Sequence, residues 1–222
     1  MGFFDWFNKG NKIGIHLVQI PNFGLQQEED NAFHQQWISE DESLILSVNY
    51  FDIPPDLVTL NNIKTVRDTY RELLTEAEGG LLQVDYINLK GYPAVKSIFK
   101  LPKQNGGVIY IGSITLPFAE HSYVIKVQAA EVGVTGMRDS SVSMQLLNSG
   151  EIEVGDNGFV GWFADPYEPS FVHGLLRNIS DDEKYDAQFP NHPLSLVRNM
   201  LRQIEAEVVL GDDLKTIEQF KK

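Results

Sequence analysis

The chain has 222 residues, no cysteine, and a formal charge of −13 from 18 basic and 31 acidic side chains. That length fits one domain, or one domain with an appendage, and 42% hydrophobic residues suffice for a packed core. The missing cysteines exclude disulfides, thiolate metal sites and a cysteine nucleophile, and a pI of about 4.7 argues against broad nucleic-acid binding.

The opening Phe3-Phe4-Asp5-Trp6-Phe7 is aromatic, but it lacks a basic leader and Asp5 interrupts it, so it does not read as a secretory signal. No stretch approaches the roughly 18–20 apolar residues that cross a bilayer, and the cytoplasm is the expected compartment. Segment 1–12 is either a docking element or a helical turn on its own domain. From Ile13 the pattern is strand-like up to Pro21, then again from Ala32 to Ile38. The polar turn Ser39–Glu42 leads into a third strand, Ser43–Phe51, with Leu44, Leu46, Val48 and Tyr50 on one face. Helical spacing takes over from Asn62 to Ala77. Ile63, Val66, Tyr70, Leu73, Leu74 and Ala77 form the apolar stripe, Arg67 and Arg71 fall on the wet side, and Gly79-Gly80 stops the helix.

Residues 81–132 carry four period-two runs: Leu82-Val84-Tyr86, Val95-Ser97-Phe99-Leu101, Val108 to Leu116, and Tyr123-Ile125-Val127-Ala129. Short turns, one of them holding the hairpin signal Asn105-Gly106, join them into an antiparallel meander. Its apolar face is expected to pack on the 62–77 helix. Thr135 is a candidate cap for a helix to Leu147, with Met137, Val142, Met144 and Leu147 turned to the core. Residues 148–191 are rich in Gly and Pro, with Ser180-Asp181-Asp182-Glu183 reading as a capping box. The last strong helix starts near Asn191-His192-Pro193, steps through Leu194, Val197, Leu201, Ile204 and Val208, and stops at Gly211. Leu214–Phe220 adds a final helical piece. The fold class is therefore α+β: a twisted antiparallel meander packed against helices. It divides into the aromatic segment 1–12, a domain at 13–147, and a loop-rich extension at 148–222 that packs on that domain.

Charge is uneven. Residues 139–186 hold ten acids against Arg177 and Lys184, a balance of −8, whereas 81–132 stands at +2 with five lysines against three acids. An acidic surface that steers a basic protein is one reading, and a solvated face is the other. Lys96 and Lys100 share a strand face and offer a second contact.

Catalytic signals are sparse. His16, His34, His121, His173 and His192 show no metal-ligand spacing, and no nucleophile elbow, phosphate loop or dinucleotide fingerprint occurs. No cofactor or metal is expected. Val134-Thr135-Gly136-Met137-Arg138 could hold an anion at a helix start, with Thr135 and Arg138 as its side chains; the bland reading makes Thr135 a cap and pairs Arg138 with Asp139 or a neighbour. In Gly161–Pro169, Trp162, Phe163, Asp165 and Tyr167 offer an aromatic surface for a partner or a sugar, or else pin the loop to the core. Asp165 and Glu168 supply the alternative function, a carboxylate hydrolase.

The order of signals from Ile13 to Leu147 resembles the PsbP-like fold shared with the Mog-type Ran-binding proteins, whose bacterial relatives include small adaptors or chaperones of type VI secretion. Six tracts carry the resemblance: Ile20-Pro21, Trp37 before the acidic turn, Ser43–Val48, Leu73-Leu74, Gly91-Tyr92-Pro93-Ala94, and Leu116-Pro117-Phe118. It implies a sheet packed with helices that binds another protein and carries no catalytic residues. The expected function is thus non-enzymatic protein binding, as a bacterial secretion-associated adaptor or a toxin-immunity protein. The expected partner is another protein, basic if the acidic run is exposed, with a second copy of this chain as a further partner through Phe3, Phe4, Trp6 and Phe7.

Overall fold

A computed structural model describes residues 13–104, 106–156 and 158–221. The aromatic segment 1–12 and Asn105 of the hairpin signal lie outside them. At the centre is a seven-stranded antiparallel sheet in the order β2-β3-β4-β8-β7-β6-β5. Its strands are β2 (Gln26–Asp30), β3 (His34–Ile38), β4 (Leu44–Phe51), β5 (Gly80–Leu89), β6 (Tyr92–Pro102), β7 (Val108–Pro117) and β8 (Ser122–Ala130). The meander β5–β8 forms as the period-two runs predict. Helices α1 (Ile63–Glu76) and α3 (Pro193–Glu207) lie on opposite faces of the sheet, and α2 (Met137–Ser149) sits beside α3. The α+β class holds.

The expectation of one apolar meander face does not. Tyr110, Ile114 and Leu116 of β7 join Tyr123, Ile125 and Val127 of β8 in the cluster that holds Leu194, Val197, Leu201 and Ile204 of α3. Val95, Phe99 and Leu101 of β6 instead join the α1 cluster with Val66 and Leu74. Antiparallel register requires this split, because Val95 stands opposite Thr115 and Ile98 opposite Gly112. A bulge between Leu81 and Gln83 also reverses parity within β5. Leu82 therefore belongs to the α3 side and Val84 to the α1 side. The sheet carries an apolar cluster on each face, and the one under α3 is the larger.

Several local expectations change. Ile13–Ile20 is not a strand: a 3-10 helix at Ile15–Leu17 runs into the two-residue strand β1 (Val18–Gln19). Buried Ile15 and Leu17 around exposed His16 imitate strand alternation. β1 pairs with the two-residue strand Val209–Leu210, directly after α3. Strand β2 has all five residues exposed and offers no apolar alternation from which to read it. Asn62 caps α1, its side chain accepting from the N–H groups of Lys64 and Thr65. Leu73, however, is exposed and Arg71 is buried, so the inward stripe is rotated.

Thr135 is exposed and does not cap α2; Gly136, left-handed at φ 70°, stands at that position. Met137 and Met144 are exposed, and Arg138, Val142 and Leu146 form the inward stripe. The expected box at Ser180–Glu183 lies two residues earlier, where the Asp181 carboxylate accepts from the Asn178 N–H. His192 caps α3: its Nδ1 accepts from the Leu194 N–H at 3.2 Å. The five apolar positions read for this helix are all buried. Asp212–Thr216 forms a 3-10 turn whose Leu214 is buried, as is Phe220 beyond it.

Candidate functional site

The Gly161–Pro169 loop is fixed to the protein through most of its distinctive side chains. Trp162 is buried in a small cluster with Val142, Leu146, Ile152 and Tyr185. Phe163 stays exposed and meets the Trp162 ring edge-on, with centroids 6.2 Å apart. Asp165 is buried and accepts four hydrogen bonds: from Arg71 Nε and Nη2, both at 3.0 Å, and from the Tyr167 and Glu168 N–H groups at 2.9 and 2.8 Å. Burial pushes its carboxyl up, but the Arg71 guanidinium and the two N–H donors more than offset this and hold it below the ordinary range. Three of these bonds fall on Oδ1 and one on Oδ2, so the carboxylate is oriented and kept ionised by the protein's own donors.

Tyr167 serves the fold in another way. Its hydroxyl accepts from the Val84 N–H at 2.8 Å and donates to the Val84 carbonyl at 3.3 Å, while the Arg67 guanidinium lies 3.6 Å above its ring. Leu175 N–H adds a bond to the Gly79 carbonyl, and a Cβ on Gly80 would come within 1.5 Å of the Leu175 oxygen. The loop thereby blocks the outer edge of β5, which would otherwise present unpaired backbone groups. Trp162 and Tyr167 belong to different apolar clusters. A hydrolase built on Asp165 and Glu168 needs both carboxylates converging with one of those rings, whereas Asp165 is bound to Arg71 and to two N–H groups of its own loop.

The cationic candidates are also engaged. Lys96 donates to Glu205 of α3 at 2.6 Å. Lys100, with 3% of its side chain exposed, donates to Asp181 at 2.7 Å. Arg138 is 1% exposed and donates to the Ser180 and Asp182 carbonyls, Ser195 Oγ and Asp186 Oδ1. Its partner is therefore Asp186 rather than Asp139, and four of its five N–H donors are taken by groups of the protein itself. Arg198 joins it on Asp186 at 3.0 Å, and Asp139 accepts from Ser180 Oγ and Asn178 Nδ2. Three carboxylates (Asp139, Asp181, Asp186) thus meet three cations (Lys100, Arg138, Arg198) where α2, α3 and β6 come together.

The acidic run is accordingly less of a surface than its charge predicts. Asp165, Asp181, Asp182, Glu183 and Asp186 each have an ion partner, drawn partly from Arg71, Lys100, Arg138, Arg198 and Arg202 outside the run. The histidines remain scattered. His34 Nδ1 meets Asn49 at 2.8 Å with Glu29 at 3.8 Å, His121 meets Asp52 at 3.1 Å, and His192 lies 3.8 Å from Glu131. Among the described residues no group of three potential metal ligands converges.

Two open concavities border the central sheet. One, of about 550 Å³, lies where the end of β8, the start of α2 and the start of α3 meet the 39–42 turn. Val132, Val134 and Met137 line it with more than half their surface exposed, and Glu131 and His192 line it as well. Burial raises the Glu131 carboxyl, while His192 and the N–H groups of Gly136 and Val108 bring it below the ordinary range. The second, of about 450 Å³, lies on the α1 side of the sheet and includes Tyr70, Phe99, Ile111, Ser113, Thr115 and Lys126. Neither Lys126 nor Val132 stands out in the sequence. Lys126 alternates with the apolar set of β8, which is the usual position of a solvated residue.

No protein-family model matches the chain, and no curated protein does. Solved structures similar to it include the following three. The Saccharomyces cerevisiae Ran-binding protein Mog1p is 12% identical, with 89% of this chain and 93% of that one covered and a TM-score of 0.45. Cyanobacterial PsbP from Synechocystis is 13% identical, with 64% and 96% covered and a TM-score of 0.37. A Bacteroides thetaiotaomicron protein is 10% identical with a TM-score of 0.33, and the match takes in 55% of this chain and 41% of that protein's length. The first two come from the groups that the order of sequence signals resembles. The α+β assignment rests on the strand order and the two helical layers themselves. No helix among the described residues is long and apolar enough to cross a membrane.

Proposed function

We propose that this chain is a non-enzymatic protein-recognition module of the bacterial secretion-adaptor or toxin-immunity kind, and that the α2–α3 cleft is its docking face. The observation that carries this reading is the exposure of Val132, Val134 and Met137 together on one open cleft. Adjacent apolar side chains left in water mark interaction sites more often than chance exposure does. The cleft wall at Asp41 belongs to the exposed acidic turn Glu40-Asp41-Glu42, which leaves an apolar centre beside a negative rim. That rim favours a basic partner. The commitment of Asp165 and Arg138 to internal partners supports the non-enzymatic part of this reading.

The test is a paired substitution, Val134→Asp with Met137→Asp, in protein used to capture partners from its native host and then to titrate the purified partner. Both side chains are exposed, so the melting temperature should not move, while affinity should fall at least tenfold. Inhibition of the partner's nuclease activity would mark the immunity version, and co-transfer with a secreted cargo the adaptor version. Unchanged affinity would remove this cleft from the interface.

A further inference from the structure

Helix α1 packs on the β5 side of its sheet face and leaves β7, β8 and Phe99 of β6 to form the floor of the second concavity. Phe99, Ile111 and Val124 supply apolar floor, Pro54 to Leu57 and Tyr70 form a wall, and exposed Phe51 and Ile53 border the opening. Lys126 lies on this floor, half-buried. Its cross-strand neighbours are Ser47 on β4 and Ser113 on β7, and the pairs on either side are Ile45–Gln128, Asn49–Val124, Gln128–Ile111 and Val124–Thr115. None is a carboxylate. The other four meander lysines each have an acceptor: Lys96 has Glu205, Lys100 has Asp181, Lys90 has the Ala206 carbonyl and Lys103 the Glu131 carbonyl. Among the described residues Lys126 has no ion pair and no hydrogen bond. An ammonium partly withdrawn from water on an apolar floor calls for a counter-ion.

We propose that this groove binds a small amphipathic monoanion, an apolar chain or ring system carrying one carboxylate, with the carboxylate on Lys126 Nζ. Ser113 and Thr115 lie on the same strand face beside that position, the Ser113 hydroxyl paired with Ser97 Oγ at 2.8 Å and Thr115 next to the Tyr70 hydroxyl. Phe99, Ile111, Leu57 and Phe51 receive the apolar body. The volume of about 450 Å³ suits a ligand of that size. Asp56 is the one carboxylate among the lining residues, and its charge disfavours a second anionic group. The groove lies on the α1 side of the sheet, whereas the docking cleft includes Leu44 and Ala129 of the α3 side, so the two proposals stand or fall separately.

Calorimetric titration of the full chain with laurate, held below its micelle concentration, tests the assignment, with dodecanol and dodecyltrimethylammonium as matched probes. Laurate should bind with one saturable site and at least tenfold more tightly than either, as a charge-assisted contact to an ammonium predicts. Lys126→Gln should reduce laurate binding about tenfold or more, leave dodecanol unchanged and keep the melting temperature. Lys126→Arg should retain binding. Absence of laurate binding, equal binding of laurate and dodecanol, or an unaltered Lys126→Gln titration each overturns the proposal. So does light scattering that shows a dimer dissolved by Ile53→Asp, since a second copy would then occupy the groove.

Discussion

The Arg71–Asp165 pair shows how far one residue's role can sit from its local pattern. Arg71 follows helical polar spacing in α1, yet it is buried and makes a two-point contact with a carboxylate 94 residues away. Removing one partner leaves the other charged and dry, so Arg71→Ala should cost about 3–5 kcal/mol by urea denaturation. The sign of its pH dependence follows from the lowered Asp165 carboxyl. A depressed folded value contributes stability in full above the ordinary carboxylate range, and that contribution is lost as pH falls through the range toward the folded value. The gap in urea midpoint between the native protein and Asp165→Asn should therefore be wide at pH 7 and narrow at pH 3. A constant gap would show that the charge of Asp165 is not what holds the loop.

At the scale of elements, α3 approaches the sheet closely at one place. A Cβ on Gly112 of β7 would fall 2.5 Å from Val197 Cγ1 and 2.6 Å from Leu201 Cδ1. The glycine lets helix and strand come together where the buried apolar positions of α3 are densest. Gly112→Val should push α3 outward and destabilise by about 1–3 kcal/mol, read as a lower thermal midpoint with the far-ultraviolet spectrum retained. Both helices and all four meander strands are readable in the sequence because their periodicities are local properties. The side of the sheet that each strand turns toward α1 or α3 is not, since it depends on cross-strand register and on the Leu81–Gln83 bulge.

For the whole molecule, the proposed boundary at residue 147 runs through shared core. Leu194, Val197, Met200, Leu201, Ile204, Val208 and Leu214 belong to one cluster with Leu46, Val48, Ile114, Ile125 and Val127 of the sheet. Each such side chain contributes about 1.5–3 kcal/mol by its burial, more in sum than the margin of an ordinary domain. A fragment ending at Leu147 should therefore lack cooperative thermal unfolding and show collapsed amide dispersion in NMR. A fragment that melts cooperatively would make 148–222 an appendage after all. The −13 charge takes on a different meaning at this scale, because Asp165, Asp181 and Asp186 are internal partners of Arg71, Lys100, Arg138 and Arg198.

By itself the sequence determined the α+β class, the meander, the positions of α1 and α3, and the want of metal-ligand spacing. Those follow from side-chain period, caps and turn residues, which act over a few residues. Only the tertiary structure decided that Arg71 and Arg138 are core residues, that Tyr167 seals an edge strand, and that Lys126 faces a groove. Each of those depends on charge and hydrogen-bond partners brought together from distant segments. A buried charge is stable only where its partner is, and the linear order of residues does not say where that will be.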